Sequence, residues 1–352
     1  MSERPETMQA VLLTGHGDYD QLSYRTDIPV PVPGPRDVLV RVGAAGVNNT
    51  DINTRNGWYS KGDSDSTDAG WGGSALELPR IQGADIAGHI VSVGSDIDPS
   101  RTGERVLIEP CLRELHGETV ENFAYIGSEC DGGFADYAVV PARHAHPIKT
   151  GLTDIELASF PCSYSTAENM LTRARVTSGE RVLVTGASGG VGSATVQLAR
   201  ARGAEVIAVT SASKAESLLA LGAARTVGRD TKPTEALGED AVDVAIDLVG
   251  GQFWPDLLDL LKPGGRYAVA GAIGGHTVPL DLRTLYLKDL SFYGCTGLEP
   301  EVFPNLVRLI ESGAIRPLVA ATYQLRDIVS AQKAFAEKSH TGKIVLEVAG
   351  GS

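Results

Sequence analysis

The spacing of apolar and polar residues changes character near Thr153. Before it, short apolar segments stop at Gly, Pro or Asp: MQAVLL, DVLVRVGAAGV, IAGHIVSVG, RVLIEP and FADYAVVP. Their β-branched content and short length predict strands over most of residues 8 to 150. Two long loops interrupt them. One runs from Trp58 to Pro79 and is rich in Gly, Ser and Asp; the other runs from Leu112 to Gly133. Loops of that length are usually functional or mobile.

After Thr153 the pattern becomes an alternation. DIELASFPCSYSTAENMLTRARV reads as one or two helices. RVLVTGA is then a strand, GVGSATVQLARARG a helix ending in Gly203, EVIAVT a strand and KAESLLALGA a helix. VDVAIDLVG, RYAVAGA and LSFYGCTG follow as strands, with FWPDLLDLLKPGG a helix between the first two. This order predicts an α/β domain built on a Rossmann-type, doubly wound parallel sheet. Beyond LVRLIESG the chain returns to short strands, GKIVLEVAG last. The strand-rich domain, residues 1–155, is therefore expected to recruit 310–352, with the nucleotide-type domain, 156–309, inserted between.

Composition narrows the function classes. The chain has 352 residues, enough for two cores, and its 42% hydrophobic content is ordinary for a globular protein. A formal charge of −13 argues against nucleic acid as a partner, because a phosphate backbone needs a basic surface. No apolar run approaches a membrane span, and the opening MSERPETMQAVLL is unlike a signal peptide. The four cysteines, at 111, 130, 162 and 295, form no C-x-x-C pair, which suggests reduced thiols and a cytoplasmic setting.

The chemistry concentrates in VLVTGASGGVGSATVQLA, which lies between a strand and a helix. It fits three templates. In the first, Gly186, Gly189, Gly190 and Gly192, with Ser188 and Val191, let backbone approach a dinucleotide pyrophosphate at a helix N-terminus. The surrounding β-α-β alternation strengthens this reading, and a tight packing turn is the plain alternative. In the second, Gly186-Ala187-Ser188-Gly189-Gly190 is a G-x-S-x-G nucleophile elbow, with Asp247 and His276 or His340 downstream in triad order. The third, a short-chain reductase turn, requires a Tyr-x-x-x-Lys that the chain lacks.

If a dinucleotide binds, the residues after the next strand choose between its forms. A ribose-binding carboxylate is expected about 20 residues beyond the glycines. Thr210, Ser211, Ser213 and Lys214 stand there instead, and Arg229 follows the next strand. Hydroxyls and cations suit a 2′-phosphate, so NADPH is expected over NADH. Leu248, Val249, Gly250 and Gly271 fall at C-terminal strand ends, where cofactors bind.

The order of these parts, closed by HTGKIVLEV, resembles the medium-chain dehydrogenase/reductase superfamily over nearly the whole chain. That resemblance implies a Rossmann domain inserted into a GroES-like, partly open barrel. GVNNTDINTRNGWY resembles the quinone oxidoreductase (zeta-crystallin-like) branch. The zinc-dependent branch places a Cys where Asn48 stands and a Gly-His-Glu where Gly83-Ala84-Asp85 stands; only Cys162 matches a ligand. No metal is therefore expected, because catalytic zinc needs about three protein ligands. Cys111 and Cys130 are too few for the four-cysteine structural lobe of that branch.

Without a metal, hydrogen-bond donors must stabilise charge on the substrate oxygen. Asn48, Tyr59 and Tyr164 are the candidate donors, Asp51 the residue that orients Asn48, and Cys162 a small wall residue of the substrate site. Asn48 and Asp51 are equally suited to cap a helix beginning INTRNG. The resemblance implies that Lys343 reaches the cofactor pyrophosphate, that Thr166 touches the nicotinamide phosphate, and that a homodimer forms through the strand around 290–297. Trp58 and Trp71 are placed in a lid. The expected activity is NADPH-dependent, zinc-independent hydride transfer to a quinone or α,β-unsaturated carbonyl. A narrow-substrate enoyl or ketone reductase, a serine hydrolase using Ser188, and a non-catalytic NADPH sensor are the alternatives.

Overall fold

The computed structural model describes residues 5–60, 70–71 and 75–348. The chain divides into two compact units. One takes in the chain up to Cys162, Pro317–Ser339 and the strand that begins at Lys343; the other takes in Ser163–Arg316 and His340–Gly342.

The first unit centres on the strand Asp37–Val47, whose residues are nearly all buried. It lies between Asp85–Val93 and Lys343–Glu347, antiparallel to both. The sheet continues outward through Arg105–Ile108 to Ala145–Pro147 on one side and to Val319–Gln324 on the other. Tyr137–Pro141 pairs with the first half of the central strand. Gly46 faces Asp85 on one neighbour and Val345 on the other. That register brings Asn48, Asp85 and Lys343 to the same end of three adjacent strands. Gly46 is needed there: a Cβ would collide with the Asp85 carboxylate.

The stretch read as a long loop, Leu112–Gly133, is mostly a β-hairpin. Cys111–Leu115 pairs antiparallel with Glu118–Tyr125. His116 and Gly117 turn between them, both at positive φ, which suits the twist of a two-residue hairpin. A histidine in that conformation is an uncommon turn signal, so the sequence gives little warning of it. Much of the Trp58–Pro79 segment, expected as a lid, lies outside the described residues.

In the second unit six parallel strands run in the order Arg225–Gly228, Glu205–Thr210, Arg181–Val184, Val242–Asp247, Leu261–Val269, Ser291–Gly294. The order reverses beside Arg181–Val184, and helix Gly190–Ala201 starts directly after that strand's turn. Such a switch point is where open α/β sheets bind ligands. Two elements depart from expectation. Leu261–Val269 begins before Pro263, and its pairing with Val242–Asp247 is irregular, so the strand expected from Arg266 is longer. In the first unit, the region after Gly313, expected as short strands, also contains helix Ile328–Ala336, whose Ile328, Ala331 and Phe335 are buried at helical spacing.

Candidate active site

In the first unit helix Asn49–Arg55 starts where the central strand ends. Asp51 Oδ2 accepts the Asn48 backbone N–H at 2.7 Å, the N-terminal cap that the sequence allowed. The Asn48 side chain is then free to turn inward. Its Nδ2 donates to Asp85 Oδ2 at 2.9 Å and, at 3.4 Å, to Gly46 O. Its Oδ1 accepts from Lys343 Nζ at 2.5 Å. Lys343 Nζ also lies 2.6 Å from Asp85 Oδ2. Asn48, Asp85 and Lys343 are 5%, 0% and 2% exposed, so this is a desolvated ion pair with an amide bridging it.

Two sequence expectations change here. Asn48 was expected to present its amide N–H to a substrate; both protons are spent on Asp85 and Gly46. Lys343 was expected to reach the pyrophosphate; its ammonium is turned into the first unit, onto Asp85 and Asn48. The cause is the same: a buried carboxylate at position 85 recruits the nearest cation and amide.

Cys162 completes the cluster. Its backbone N–H donates to Asp85 Oδ1. Its thiol accepts from the Tyr125 hydroxyl at 3.0 Å. Burial, and then the Asp85 charge, push the thiol up to about 12, so it is a neutral wall group and no nucleophile. Burial likewise raises the Tyr125 phenol well above its ordinary value and Tyr59 up to about 12. Cys162 and Asp51 both act on the Tyr59 phenol, so it belongs to the same neighbourhood. Trp71 stacks on Tyr125 with centroids 4.6 Å apart. Tyr125 was missed in the sequence because it sits in the segment read as loop. Burial raises Asp51 to about 7, against the pull of the Asn48 N–H. Gln82 donates to Asp51 O, and among the described residues its buried Oε1 has no partner.

Tyr164 does not join this group. It belongs to the second unit, is 1% exposed, and donates its hydroxyl to Arg316 O at 2.8 Å while accepting from Gln197 Nε2. Its expected role as a substrate donor is corrected to a core contact. Burial explains why: an enclosed phenol takes the nearest acceptor.

The dinucleotide half is built on the turn after Arg181–Val184. Gly186 has φ +56 and Gly192 packs directly on Ala187 backbone, while a Cβ on Gly189 would meet only Gly186 O at 3.5 Å. The turn is therefore tight on its inner side and bare at Gly189. Gly190 and Val191 open the helix, where unpaired N–H groups favour an anion. Ser188 O accepts from Gly342 N. At the end of the next strand Thr210 is buried and, among the described residues, its Oγ1 has no partner. Ser211 and Ser213 hydroxyls lie 3.2 Å apart, and Lys214 Nζ donates to His340 O at 2.8 Å. Partial burial, and then the Arg229 charge, hold Lys214 below its ordinary value, so the charge of Arg229 is felt at Lys214. Thr166 lies on helix Pro161–Arg173. These residues fit a dinucleotide: a bare glycine turn, an orphaned hydroxyl and two cations at C-terminal strand ends.

Leu248, Val249 and Gly250 contribute shape rather than donors. Their N–H groups go to Thr185 Oγ1 and to Asp247. A Cβ on Gly271 would meet Leu248 O at 2.7 Å, so that glycine keeps the loops close. Asp247 is 0% exposed and accepts also from the Thr185 and Tyr267 hydroxyls. With its oxygens saturated by these groups, it orients no histidine, and the hydrolase reading of Ser188 loses its triad.

A parallel sheet with a glycine turn at its switch point, in a chain whose other, strand-rich unit holds a buried polar cluster, defines a dinucleotide-dependent oxidoreductase. Comparison with known proteins places it further. The family described as "Alcohol dehydrogenase GroES-like domain" matches residues 34–150, and "Zinc-binding dehydrogenase" matches 190–312. A solved protein of Sinorhizobium meliloti 1021, assigned as an alcohol dehydrogenase, is 46% identical with a TM-score of 0.90, over 99% of this chain and 98% of that one. Human quinone oxidoreductase is 28% identical over 98% of this chain and 99% of its own length. Acryloyl-coenzyme A reductase of Metallosphaera sedula is 29% identical over 96% and 99%. The chain belongs to the medium-chain dehydrogenase/reductase superfamily and is an NAD(P)-dependent oxidoreductase.

The matched family's description implies zinc, and the residues here do not suit it. Asn48 and Ala84 replace a thiolate and an imidazole, and the remaining sulfur is a neutral thiol held by Tyr125. The Lys343 ammonium already neutralises Asp85. Among the described residues no group of three or more His, Cys, Asp or Glu is arranged to hold a metal.

Proposed function

We propose that this chain is an NADPH-dependent, zinc-independent reductase of quinones and α,β-unsaturated carbonyls. The observation that carries this reading is the Lys343–Asp85–Asn48 cluster, which places an internal cation among the positions where zinc-dependent relatives carry ligands. When bound, NADPH supplies the hydride. The protein's part is to hold the cofactor on the Gly186–Gly192 turn and to offer Tyr59 and the Lys343 ammonium as donors, with Tyr125 and Cys162 as neutral walls. Conjugated acceptors suit that arrangement, because hydride addition delocalises charge onto an oxygen that hydrogen bonds can hold. Oxidation of a simple alcohol suits it less, since an ammonium lowers the pKa of a hydroxyl far less than a bound metal ion does.

The preference for NADPH rests on Thr210, Ser211, Ser213, Lys214 and Arg229, which offer hydroxyls and cations where a ribose-binding carboxylate would otherwise select NADH. The named relatives include one reductase of quinones and one of an unsaturated thioester, acceptors of the same electronic type. The test is NADPH oxidation against a panel of quinones, enones and enoyl thioesters, with and without a chelator. Turnover unaffected by the chelator is expected. Activity that appears only with added zinc, or none with any conjugated acceptor, refutes the reading.

A further inference from the structure

An ammonium has three donors. Two of those on Lys343 are used, toward Asp85 Oδ2 and Asn48 Oδ1, and among the described residues none accepts the third. The side chain is only 3% exposed, so water does not freely supply the missing acceptor. The other nitrogen and hydroxyl donors of the cluster are spent. The Asn48 amide goes to Asp85 and Gly46, the Cys162 N–H to Asp85, and the Tyr125 hydroxyl to Cys162. A buried, charged group with one unused N–H is costly unless something binds it.

We propose that Lys343 is a catalytic residue, the resident cation whose third N–H takes the developing negative charge of the substrate oxygen. The inference rests on the reductase reading above and names its electrophile. In the reduction of an enone, the hydride's electron pair forms the new C–H bond at the β-carbon. The C=C π pair shifts toward the carbonyl, and the oxygen becomes an enolate held by Lys343. A proton from solvent then completes the saturated carbonyl, while the nicotinamide is left oxidised by two electrons. Asp85 and Asn48 are positioning residues: they fix the ammonium and use its other two donors.

Lys343→Met alone would leave Asp85 buried without its cation, and such a chain can fail to fold. The Asp85→Asn/Lys343→Met double variant removes both charges together, so the local net charge is unchanged. Para-nitrophenol serves as an oxyanion probe whose ionised form is read by absorbance, independently of turnover. The wild-type protein is expected to bind it with the phenolate-to-phenol ratio raised about tenfold over solution, one pKa unit. The double variant should lose that preference, bind NADPH within about threefold of wild type, and lose kcat by about 100- to 1,000-fold, the effect of removing one oxyanion donor. If instead the double variant keeps the phenolate preference and loses NADPH affinity, Lys343 serves the cofactor and the inference is overturned. Wild-type protein that selects the phenolate, and loses this in the double variant, yet turns over no conjugated acceptor supports the Lys343 assignment and sinks the reductase reading alone.

Discussion

Two glycines of the same turn should fail in different ways when a methyl is added. At Gly192 a Cβ would lie 2.6 Å from Ala187 Cα and 2.8 Å from Ala187 C. Carbon atoms pack at about 3.5 Å or more, so helix and turn must part by nearly ~1 Å. Overpacking of that kind costs about 1–3 kcal/mol. At Gly189 the backbone is extended, with φ −72 and ψ 175, and the added methyl meets only Gly186 O at 3.5 Å. Alanine is a poorer N-cap than glycine, but it also restricts the unfolded chain; the two effects are of similar size, up to ~1 kcal/mol, and oppose each other. Gly189→Ala should therefore leave the apo protein's stability nearly unchanged. Its methyl nevertheless occupies the bare side of the turn, and NADPH affinity should fall about 10- to 100-fold, which is about 1.4–2.8 kcal/mol. Urea denaturation without cofactor and fluorescence titration with NADPH separate the two effects. Gly192→Ala should lose stability in the first assay. Wild-type NADPH affinity in Gly189→Ala would refute the cradle, and equal destabilisation by both substitutions would refute the packing argument.

Three further outcomes follow from other parts of the molecule. Lys214→Ala should weaken NADPH about tenfold, the loss of one charge-assisted hydrogen bond, and NADH by less than about twofold; equal changes would remove the 2′-phosphate assignment. Asp51 is raised from 3.8 to about 7 by burial, so the folded chain holds that proton more tightly than the unfolded chain. Stability should accordingly fall as pH rises from about 4 through about 7, by on the order of 4 kcal/mol, and Asp51→Asn should flatten the fall in urea midpoints. A midpoint profile in Asp51→Asn as steep as wild type would refute this. Finally, we propose that a second copy pairs along the edge strand Ser291–Gly294, beside which Leu282, Tyr286 and Leu287 are 64%, 62% and 70% exposed. Light scattering should report a dimer for wild type and a monomer for Leu282→Lys/Leu287→Lys; a monomeric wild type would end the proposal.

The parts of this molecule that the sequence discloses are those whose causes are local. The inserted parallel sheet follows from alternating periods, and the turn from Gly186 to Gly192 announces itself because close backbone approach demands glycine. Asn48 and Asp51 were legible as a cap because the two residues are three apart. The Leu112–Gly133 hairpin was hidden, since its turn relies on His116 at positive φ, and with it went Tyr125. Tyr164 was misjudged because a phenol's chemistry is visible in sequence and its burial is not.

The polar cluster shows the limit most clearly, because its members are far apart in the chain. Asn48 and Asp85 are 37 residues apart, and Asn48 and Lys343 are 295 apart. Each alone has a bland reading: a cap, a structural acid, an exposed lysine. Strand register removes those readings together. Gly46 sits opposite both Asp85 and Val345, so the acid and the lysine arrive at one strand end whether or not either residue type suggests it. Once Asp85 is buried, its charge must be neutralised, and the first residue of the last strand supplies the cation. Asn48 then orients itself by elimination: facing an ammonium, only its oxygen is acceptable, which commits its nitrogen to Asp85. Gly46, Asn48, Asp85 and Lys343 are thus one unit. A side chain at 46 displaces the acid, loss of the acid strands the lysine, and loss of the lysine strands the acid.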